Sequence, residues 1–142
     1  MTHQPLLDRH YAEINTGDFS DVAELFAADV VTQVPDAGTL TGIEPFVAYG
    51  RAFLQAFPDG RIHGDRYLED GDRVVVEGRF TGTNTGPLQT PAGELPPTGR
   101  AMVLPFADVF RVVDGKIAEH RVYYDTLGLM AQLGLVPEPA ST

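Results

Sequence analysis

The sequence contains no cysteine and no tryptophan, and it is poor in basic residues. Without cysteine the chain has no disulfide, no thiolate nucleophile and no cysteine-ligated zinc or iron–sulfur site. Ten lysines and arginines stand against 20 aspartates and glutamates, for a formal net charge of −10. Since no basic cluster is available to neutralise phosphates, we expect neither nucleic acid nor a membrane as a partner.

A targeting segment is also missing from the sequence. The first residues carry no basic head followed by an apolar segment, and no apolar stretch has the length of a membrane span. We therefore predict a cytoplasmic protein. A chain of 142 residues with 43% hydrophobic residues has the size and composition of one folded unit, so we predict a single domain over residues 1–142.

The first part of the chain has helical periodicity. Apolar residues at helical spacing predict a first helix over residues 5–15, a second over 20–28 and a third over 43–57. A β-branched segment over 29–35 predicts a short strand between the second and third helices. The predicted helices therefore occupy most of the chain before Gly60.

After Gly60 the sequence is typical of strands separated by turns. Strands are predicted over 61–68, 73–81, 100–112 and 116–125, with a proline- and glycine-rich hairpin loop over 81–99 and a terminal helix over 126–133. Helices followed by strands indicate an α+β fold. We predict helices packed on one face of a strongly curved antiparallel sheet, which forms a cone around an internal apolar pocket.

The last hairpin carries the candidate chemistry. If residues 113–115 form a three-residue loop, Asp108 lies opposite His120. Strand alternation then adds apolar neighbours on the same face: Phe106, Phe110, Val122 and Tyr124. A carboxylate and an imidazole in apolar surroundings are suited to acid/base catalysis. We predict that Asp108 donates to or stabilises a developing oxyanion and that His120 transfers the proton.

Each of these predictions has a structural alternative. In this alternative, Asp108 satisfies a buried polar group or pairs with Arg79. His120 then lies at the margin of the sheet. A two-residue turn instead places Asp108 opposite Arg121 and separates the pair by the sheet. Asp125 lies on the opposite face from His120 and directly precedes the terminal helix, so we predict that it is an N-cap.

Cofactor and metal sites are not indicated by the sequence. No histidine and carboxylate spacing typical of a metal site occurs, and no glycine-rich loop opens a helix after a strand. We therefore predict neither a metal nor a cofactor. The remaining candidate partner is a small hydrophobic organic molecule held in the pocket.

Four segments together resemble a known family: TGDFSDVAELFAADVV, AFPDGRIHGDRYLEDGDRVVV, GRFTGTNTGPL and PPTGRAMVLPFADVFRVVDGKIAEHRVYYDTLGLMAQLG. In order and spacing they are similar to the SnoaL-like polyketide cyclases. That family belongs to the nuclear-transport-factor-two-like superfamily, which also contains ketosteroid isomerase and limonene-epoxide hydrolase. The resemblance spans nearly the whole chain and implies a homodimer that associates through the outer face of the sheet.

The resemblance also suggests roles for single residues on the last two strands. Asp108 falls where ketosteroid isomerase has the acid of its oxyanion hole and where the polyketide cyclases have their active-site histidine. The acid/base aspartate of the cyclases falls on Val122, which cannot transfer a proton. The familiar cyclase pair is therefore not reproduced at these two positions.

The other two enzymes of the superfamily also match incompletely. The general base of ketosteroid isomerase falls near Gln33 or Val34, and its catalytic tyrosine falls on His10, beside Tyr11. The Arg-x-Asp pair of the epoxide hydrolase corresponds to Arg79-Phe80-Thr81, which lacks the carboxylate. Each family mechanism lacks at least one proton carrier, so any activity has to use Asp108 and His120 differently.

We therefore predict a cofactor-independent enzyme, namely a cyclase, isomerase or dehydratase acting on a polyketide-, terpenoid- or steroid-like substrate. Two alternatives stay open: a domain of the same fold that binds a ligand without catalysis, and an epoxide hydrolase. The predicted catalytic residues are Asp108 and His120. Substrate contacts are predicted for Tyr11, Gln33, Arg79, Phe106, Val122 and Tyr124.

Overall fold

The computed structural model describes residues 2–137. Within them it contains the helices α1 (Gln4–Thr16), α2 (Val22–Leu25), α3 (Ile43–Ala56) and α4 (Thr126–Gln132). The strands are β1 (Phe26–Val34), β2 (Gly38–Thr41), β3 (Arg61–Asp70), β4 (Arg73–Thr83), β5 (Leu88–Thr90), β6 (Gly93–Leu95), β7 (Ala101–Val113) and β8 (Lys116–Tyr124). No helix in this part of the chain is long and apolar enough to span a bilayer.

Six strands form one curved, open sheet in the order β2-β1-β8-β7-β4-β3. The α1 helix packs against β3, α3 against β1 and α4 against β7. The predicted α+β fold is confirmed. The sheet is mixed rather than antiparallel, because β1 pairs with β2 in antiparallel fashion on one side and with β8 in parallel fashion on the other.

The second helix is shorter than predicted. Val22, Leu25 and Phe26 share helical spacing, but α2 ends at Leu25 and the chain is already extended at Phe26. Phe26 is fully buried and pairs with Ile117 of β8. Pairing with a distant strand therefore overrides the local helical pattern.

The loop predicted over 81–99 contains a small hairpin of β5 and β6. Its base is tied to the end of α3 by Asn84, whose side chain is fully buried. The Asn84 amide donates to the carbonyl oxygens of Ala56 and Gly86, and its carbonyl oxygen accepts from the backbone N–H of Thr98. One buried amide therefore holds the hairpin beside α3.

The buried side chains form two clusters. The first lies between α1, α3 and the sheet and includes Phe26, Phe46 and Phe110. The second lies beneath α4 and includes Phe57 and Leu133. Side chains of both clusters contribute walls to one internal cavity, so the two halves of the core meet at the candidate site.

Candidate active site

The turn between β7 and β8 determines which face the candidate residues share. Asp114 and Gly115 form a two-residue turn, and both have positive φ, 51° and 75°. Such a turn is typical of tight hairpins and favours glycine at its second position. A bulge follows at once, because Val112 pairs with Ile117 while Arg111 pairs with Glu119.

The predicted register was wrong, but the predicted face is right. Asp108 pairs with Val122 rather than with His120, and His120 pairs with Phe110. A two-residue turn alone places Asp108 opposite Arg121, and the extra residue in the bulge shifts the pairing by one more position. The side chains of Asp108 and His120 therefore lie on the same inner face, diagonally across neighbouring strands.

Asp108 and His120 form a buried carboxylate–imidazole pair. Asp108 Oδ1 lies 3.3 Å from His120 Nε2, and the two residues are only 2% and 4% exposed. The His120 ring stacks on Phe110 with a centroid distance of 4.5 Å and an interplanar angle of 13°. The suggested placement of His120 at the margin of the sheet is therefore wrong, and so is the pairing of Asp108 with Arg79, which instead lies 3.7 Å from Asp65.

Tyr11 holds the other oxygen of Asp108. Its hydroxyl donates a hydrogen bond of 2.8 Å to Asp108 Oδ2, and the contact is buried. Burial, and then the nearby charge of Asp108, raise the pKa of Tyr11 above its usual range. Tyr11 therefore remains protonated and serves as a fixed hydrogen-bond donor from α1 to the carboxylate.

His10, which the sequence marked only as the position of the isomerase's tyrosine, and Thr32, which no sequence signal marked, both line the site. The His10 ring lies 5.4 Å from the His120 ring in an edge-to-face arrangement. Burial and then the charge of nearby His120 hold the pKa of His10 well below its usual value, so its imidazole is neutral at neutral pH. Thr32 pairs with His120 across the parallel β1–β8 ladder and is fully buried.

These residues bring several unpaired polar atoms to one place. His10 Nδ1, Thr32 Oγ1 and His120 Nδ1 are buried and have no hydrogen-bond partner among the described residues, while His120 Nε2 faces Asp108 Oδ1 at ion-pair distance. An unpaired buried polar atom costs about 1–3 kcal/mol. Such a concentration is typical of a functional site rather than of packing. The signals for His10 were its three-residue spacing from Leu7 and its position beside Tyr11.

The pair opens on a cavity of about 100 Å³ between the helices and the inner face of the sheet. Its walls are mainly aromatic and aliphatic, with His10, Thr32, Tyr49, Asp108, His120 and Tyr124 as the polar or titratable members. Neither lysine nor arginine is among the described residues that line it. The structure also places no cluster of three or more potential metal ligands anywhere in residues 2–137.

The residues predicted to contact substrate lie in three places. Phe106, Val122 and Tyr124 line the cavity, whereas Tyr11 does not line it and contacts Asp108 instead, so its predicted substrate contact is corrected. Gln33 and Arg79 do not line it, so the prediction that they contact a ligand there is corrected. Each directly neighbours an inward-facing residue of its strand, Thr32 or Phe80, and alternation therefore turns its side chain to the outer face.

Asp125 has the role predicted for it. Its carboxylate accepts a hydrogen bond of 2.8 Å from the backbone N–H of Gly128, and so it caps the N-terminus of α4. It is exposed and does not line the cavity. The carboxylate that the fold directs inward from the last hairpin is therefore Asp108.

Comparison with known proteins agrees with this fold. The model of the SnoaL-like polyketide cyclase family matches residues 5–133, and the chain belongs to this family. It is 31% identical over 136 residues to aklanonic acid methyl ester cyclase DnrD of Streptomyces peucetius, covering 94% of this chain and 91% of that protein.

Two further relatives have similar coverage. The chain is 32% identical over 128 residues to nogalonic acid methyl ester cyclase of Streptomyces nogalater, covering 84% of this chain and 88% of that protein. The crystal structure of wild-type IdmH from Streptomyces antibioticus superposes with a TM-score of 0.75 at 30% identity, covering 93% of this chain and 99% of that one.

Proposed function

We propose that this protein is a cofactor-independent cyclase that closes a ring in a neutral, hydrophobic polyketide-like molecule by acid/base chemistry. The observation that carries the proposal is the buried contact of 3.3 Å between Asp108 and His120 on the wall of an apolar cavity. The two curated relatives are named as methyl ester cyclases, which supports ring closure as the reaction.

In the proposed step, the His120 imidazole removes a proton from a carbon beside a substrate carbonyl. The resulting enolate carbon attacks a second carbonyl carbon of the same molecule, which forms the new C–C bond and leaves an alkoxide. The imidazolium returns its proton to that alkoxide, so the reaction needs no oxidant or reductant. General acid/base catalysis of this kind contributes about 10²- to 10⁴-fold in rate.

Asp108 and Tyr11 support this proton transfer. In place of the oxyanion contact expected from the sequence, the Asp108 carboxylate faces the ring nitrogen of His120 and offsets the positive charge that forms on the imidazole. The hydrogen bond from Tyr11 fixes the carboxylate in place. The resemblance puts the cyclases' histidine at position 108 and their aspartate at position 122, two positions that are paired across the strands. This chain keeps one carboxylate and one imidazole, in a different arrangement.

The charge of the cavity favours a neutral substrate. Asp108 is the single carboxylate among the described residues that line the cavity. No lysine or arginine is among them to bind an anion. An ester or ketone enters such a cavity without an unpaired charge, whereas a free carboxylate does not. The same observation disfavours epoxide hydrolysis, because that reaction needs a second carboxylate near an activated water.

The test is turnover of a neutral aryl polyketone ester, with the product identified by NMR. Asp108→Asn and His120→Gln each lower kcat by about 100-fold or more. The matched controls, Asp65→Asn and His63→Gln, lie outside the cavity and leave turnover within twofold. Turnover that survives both site substitutions refutes the proposal. A ligand recovered unchanged from the wild-type protein, despite tight binding, supports the non-catalytic alternative instead.

We also propose that the protein forms a homodimer through the outer face of the sheet. Four successive outward residues in the middle of β7 are apolar, namely Val103, Pro105, Ala107 and Val109, and Tyr123 of β8 beside them is 53% exposed. An exposed apolar patch of this kind is typical of an interface. Light scattering after gel filtration is expected to give twice the chain mass for the wild type and the monomer mass for Ala107→Glu.

A further inference from the structure

The inner cavity is too small for a substrate with several fused rings. Its volume is about 100 Å³. Sites for drug-sized molecules span about 300–1,000 Å³. A polycyclic or extended molecule that reaches Asp108 and His120 therefore has to leave part of its body outside this cavity.

A second, larger cleft adjoins the cavity. It has a volume of about 410 Å³ and lies between the β1–β2 turn, α3 and the β5–β6 hairpin. Its walls are formed by Asp36, Ala37, Tyr49, Ala52, Phe53, Leu88, Gln89, Thr90 and Pro91. Tyr49 and Phe53 of α3 line both the cavity and the cleft, and no other described residue lines both.

A row of hydroxyl and carboxylate groups marks the boundary. The Tyr49 hydroxyl donates a hydrogen bond of 2.9 Å to Asp36 Oδ1 in the cleft. It also lies 3.1 Å from the hydroxyl of Tyr124, which lines the inner cavity. Burial, together with the neighbouring Tyr124 and Asp36, raises the pKa of Tyr49, so the hydroxyl stays neutral. Displacing the Tyr49 side chain breaks its hydrogen bonds with both Asp36 and Tyr124.

We infer that the cleft is a second binding compartment for the same substrate, entered past Tyr49. The reacting carbonyl end occupies the inner cavity beside His120, and the remaining rings occupy the cleft against Phe53 and Leu88. The inference rests on the proposed function for the class of ligand, but it concerns binding and not chemistry.

Charge and hydrogen bonding define what the cleft accepts. Gln89 donates to Glu94, and Thr90 donates to the carbonyl oxygen of Gly93, so both polar groups are used within the hairpin. Asp36 accepts a hydrogen bond from a tyrosine hydroxyl, and no basic residue lies among the described walls. The cleft therefore takes the apolar body of a neutral molecule whose hydroxyl replaces that of Tyr49 on Asp36, and it rejects a carboxylate.

The test compares two neutral probes by NMR titration of the full chain: phenol, which has one ring, and 1,8-dihydroxyanthraquinone, which has three. Phenol is expected to shift the amide signals around Asp108 and His120 only. The tricyclic probe is expected to shift these and the amides of Leu88, Gln89 and Thr90. Tricyclic binding that leaves the hairpin signals unchanged overturns the inference.

A substitution in the cleft provides the second part of this binding test. Ala52→Leu fills the cleft without touching the inner cavity and is expected to weaken the tricyclic probe by about tenfold or more, and phenol by less than twofold. Ala48→Leu is the matched control, since Ala48 is exposed on the same helix and lines neither space. Equal loss of both probes, or no loss of either, refutes the second compartment.

Asp36→Asn tests whether the negative charge of Asp36 excludes carboxylates from the cleft. It is expected to strengthen binding of anthraquinone-2-carboxylate by about fivefold or more and to leave the dihydroxy probe within threefold. An unchanged affinity for the carboxylate contradicts the role given to Asp36. These experiments involve no turnover. If Asp108→Asn retains activity while Ala52→Leu still separates the two probes, the proposed chemistry fails and the second compartment stands.

Discussion

His120 and Asp108 meet diagonally across two neighbouring strands, with Nε2 of the histidine 3.3 Å from Oδ1 of the aspartate. Neither is the direct cross-strand partner of the other, because Asp108 pairs with Val122 and His120 with Phe110. The diagonal places the imidazole flat against the Phe110 ring and leaves the carboxylate free to accept from Tyr11. The geometry of the site therefore depends on the bulge that sets this register.

Removing the Tyr11 hydroxyl separates positioning from chemistry. Tyr11→Phe leaves Asp108 Oδ2 buried without its donor, which destabilises the fold by about 1–3 kcal/mol. Because Tyr11 does not line the cavity, kcat is expected to fall about tenfold while KM changes little. Tyr67→Phe is the control, since its hydroxyl donates to exposed Asp8. A Tyr11→Phe protein with unchanged kcat contradicts the positioning role.

His10 and Glu13 are expected to give folding stability opposite dependences on pH. The pKa of His10 is held well below 6.5, so below that pH the unfolded chain binds a proton that the folded chain does not, and stability falls. Burial, and then the charge of Asp21, raise the pKa of Glu13 from 4.5 to about 7. The stability that Glu13 contributes is complete below pH 4.5 and is lost as the pH rises towards 7.

Denaturant unfolding at pH 4.5, 5.5 and 6.5 measures the two effects. Each group changes the free energy of unfolding by up to about 1.4 kcal/mol per pH unit. Relative to wild type, Glu13→Gln is expected to gain stability as pH rises over this window, and His10→Leu is expected to lose it. The double variant should return to the slope of the wild type. Parallel profiles for all four proteins are incompatible with these pKa shifts.

Asp125 is expected to affect stability without affecting turnover. Asp125→Ala removes the cap of α4 and lowers the free energy of unfolding by about 1 kcal/mol, whereas Asp125→Asn retains a capping oxygen and costs less. Both variants should keep kcat within twofold, because the carboxylate lies outside the cavity. A large loss of kcat in Asp125→Asn at unchanged stability means that Asp125, rather than Asp108, supplies the catalytic carboxylate.

Much of the architecture follows from signals that are local in the sequence. Glycine- and aspartate-rich turns at Gly71 and at Gly115 separate the strands, and alternation along β7 predicts the inner face that carries Phe106 and Asp108. Because a strand has a period of two, the face survives an error of two residues in register. This is why the predicted pair shares a face although the predicted pairing was wrong.

The features that escaped prediction depend on contacts distant in the sequence. The bulge near Ala118 contains no glycine that would predict it from the sequence. The parallel pairing of β1 with β8 joins segments about 90 residues apart. Thr32 alternates with Val30 and Val34 like an ordinary buried strand residue. Only its pairing with His120 identifies it as a residue of the site. Predicting such neighbours requires the register of the whole sheet.

The most direct test of the account is proton exchange at carbon, because it measures the first chemical step without the natural substrate. In D₂O, acetophenone incubated with the wild-type protein is expected to acquire deuterium at its methyl carbon faster than in buffer, as followed by NMR. Asp108→Asn and His120→Gln should reduce this excess rate by about 100-fold, and Asp65→Asn should not. Exchange that is equally fast in both site variants would contradict the claim that this pair moves the proton.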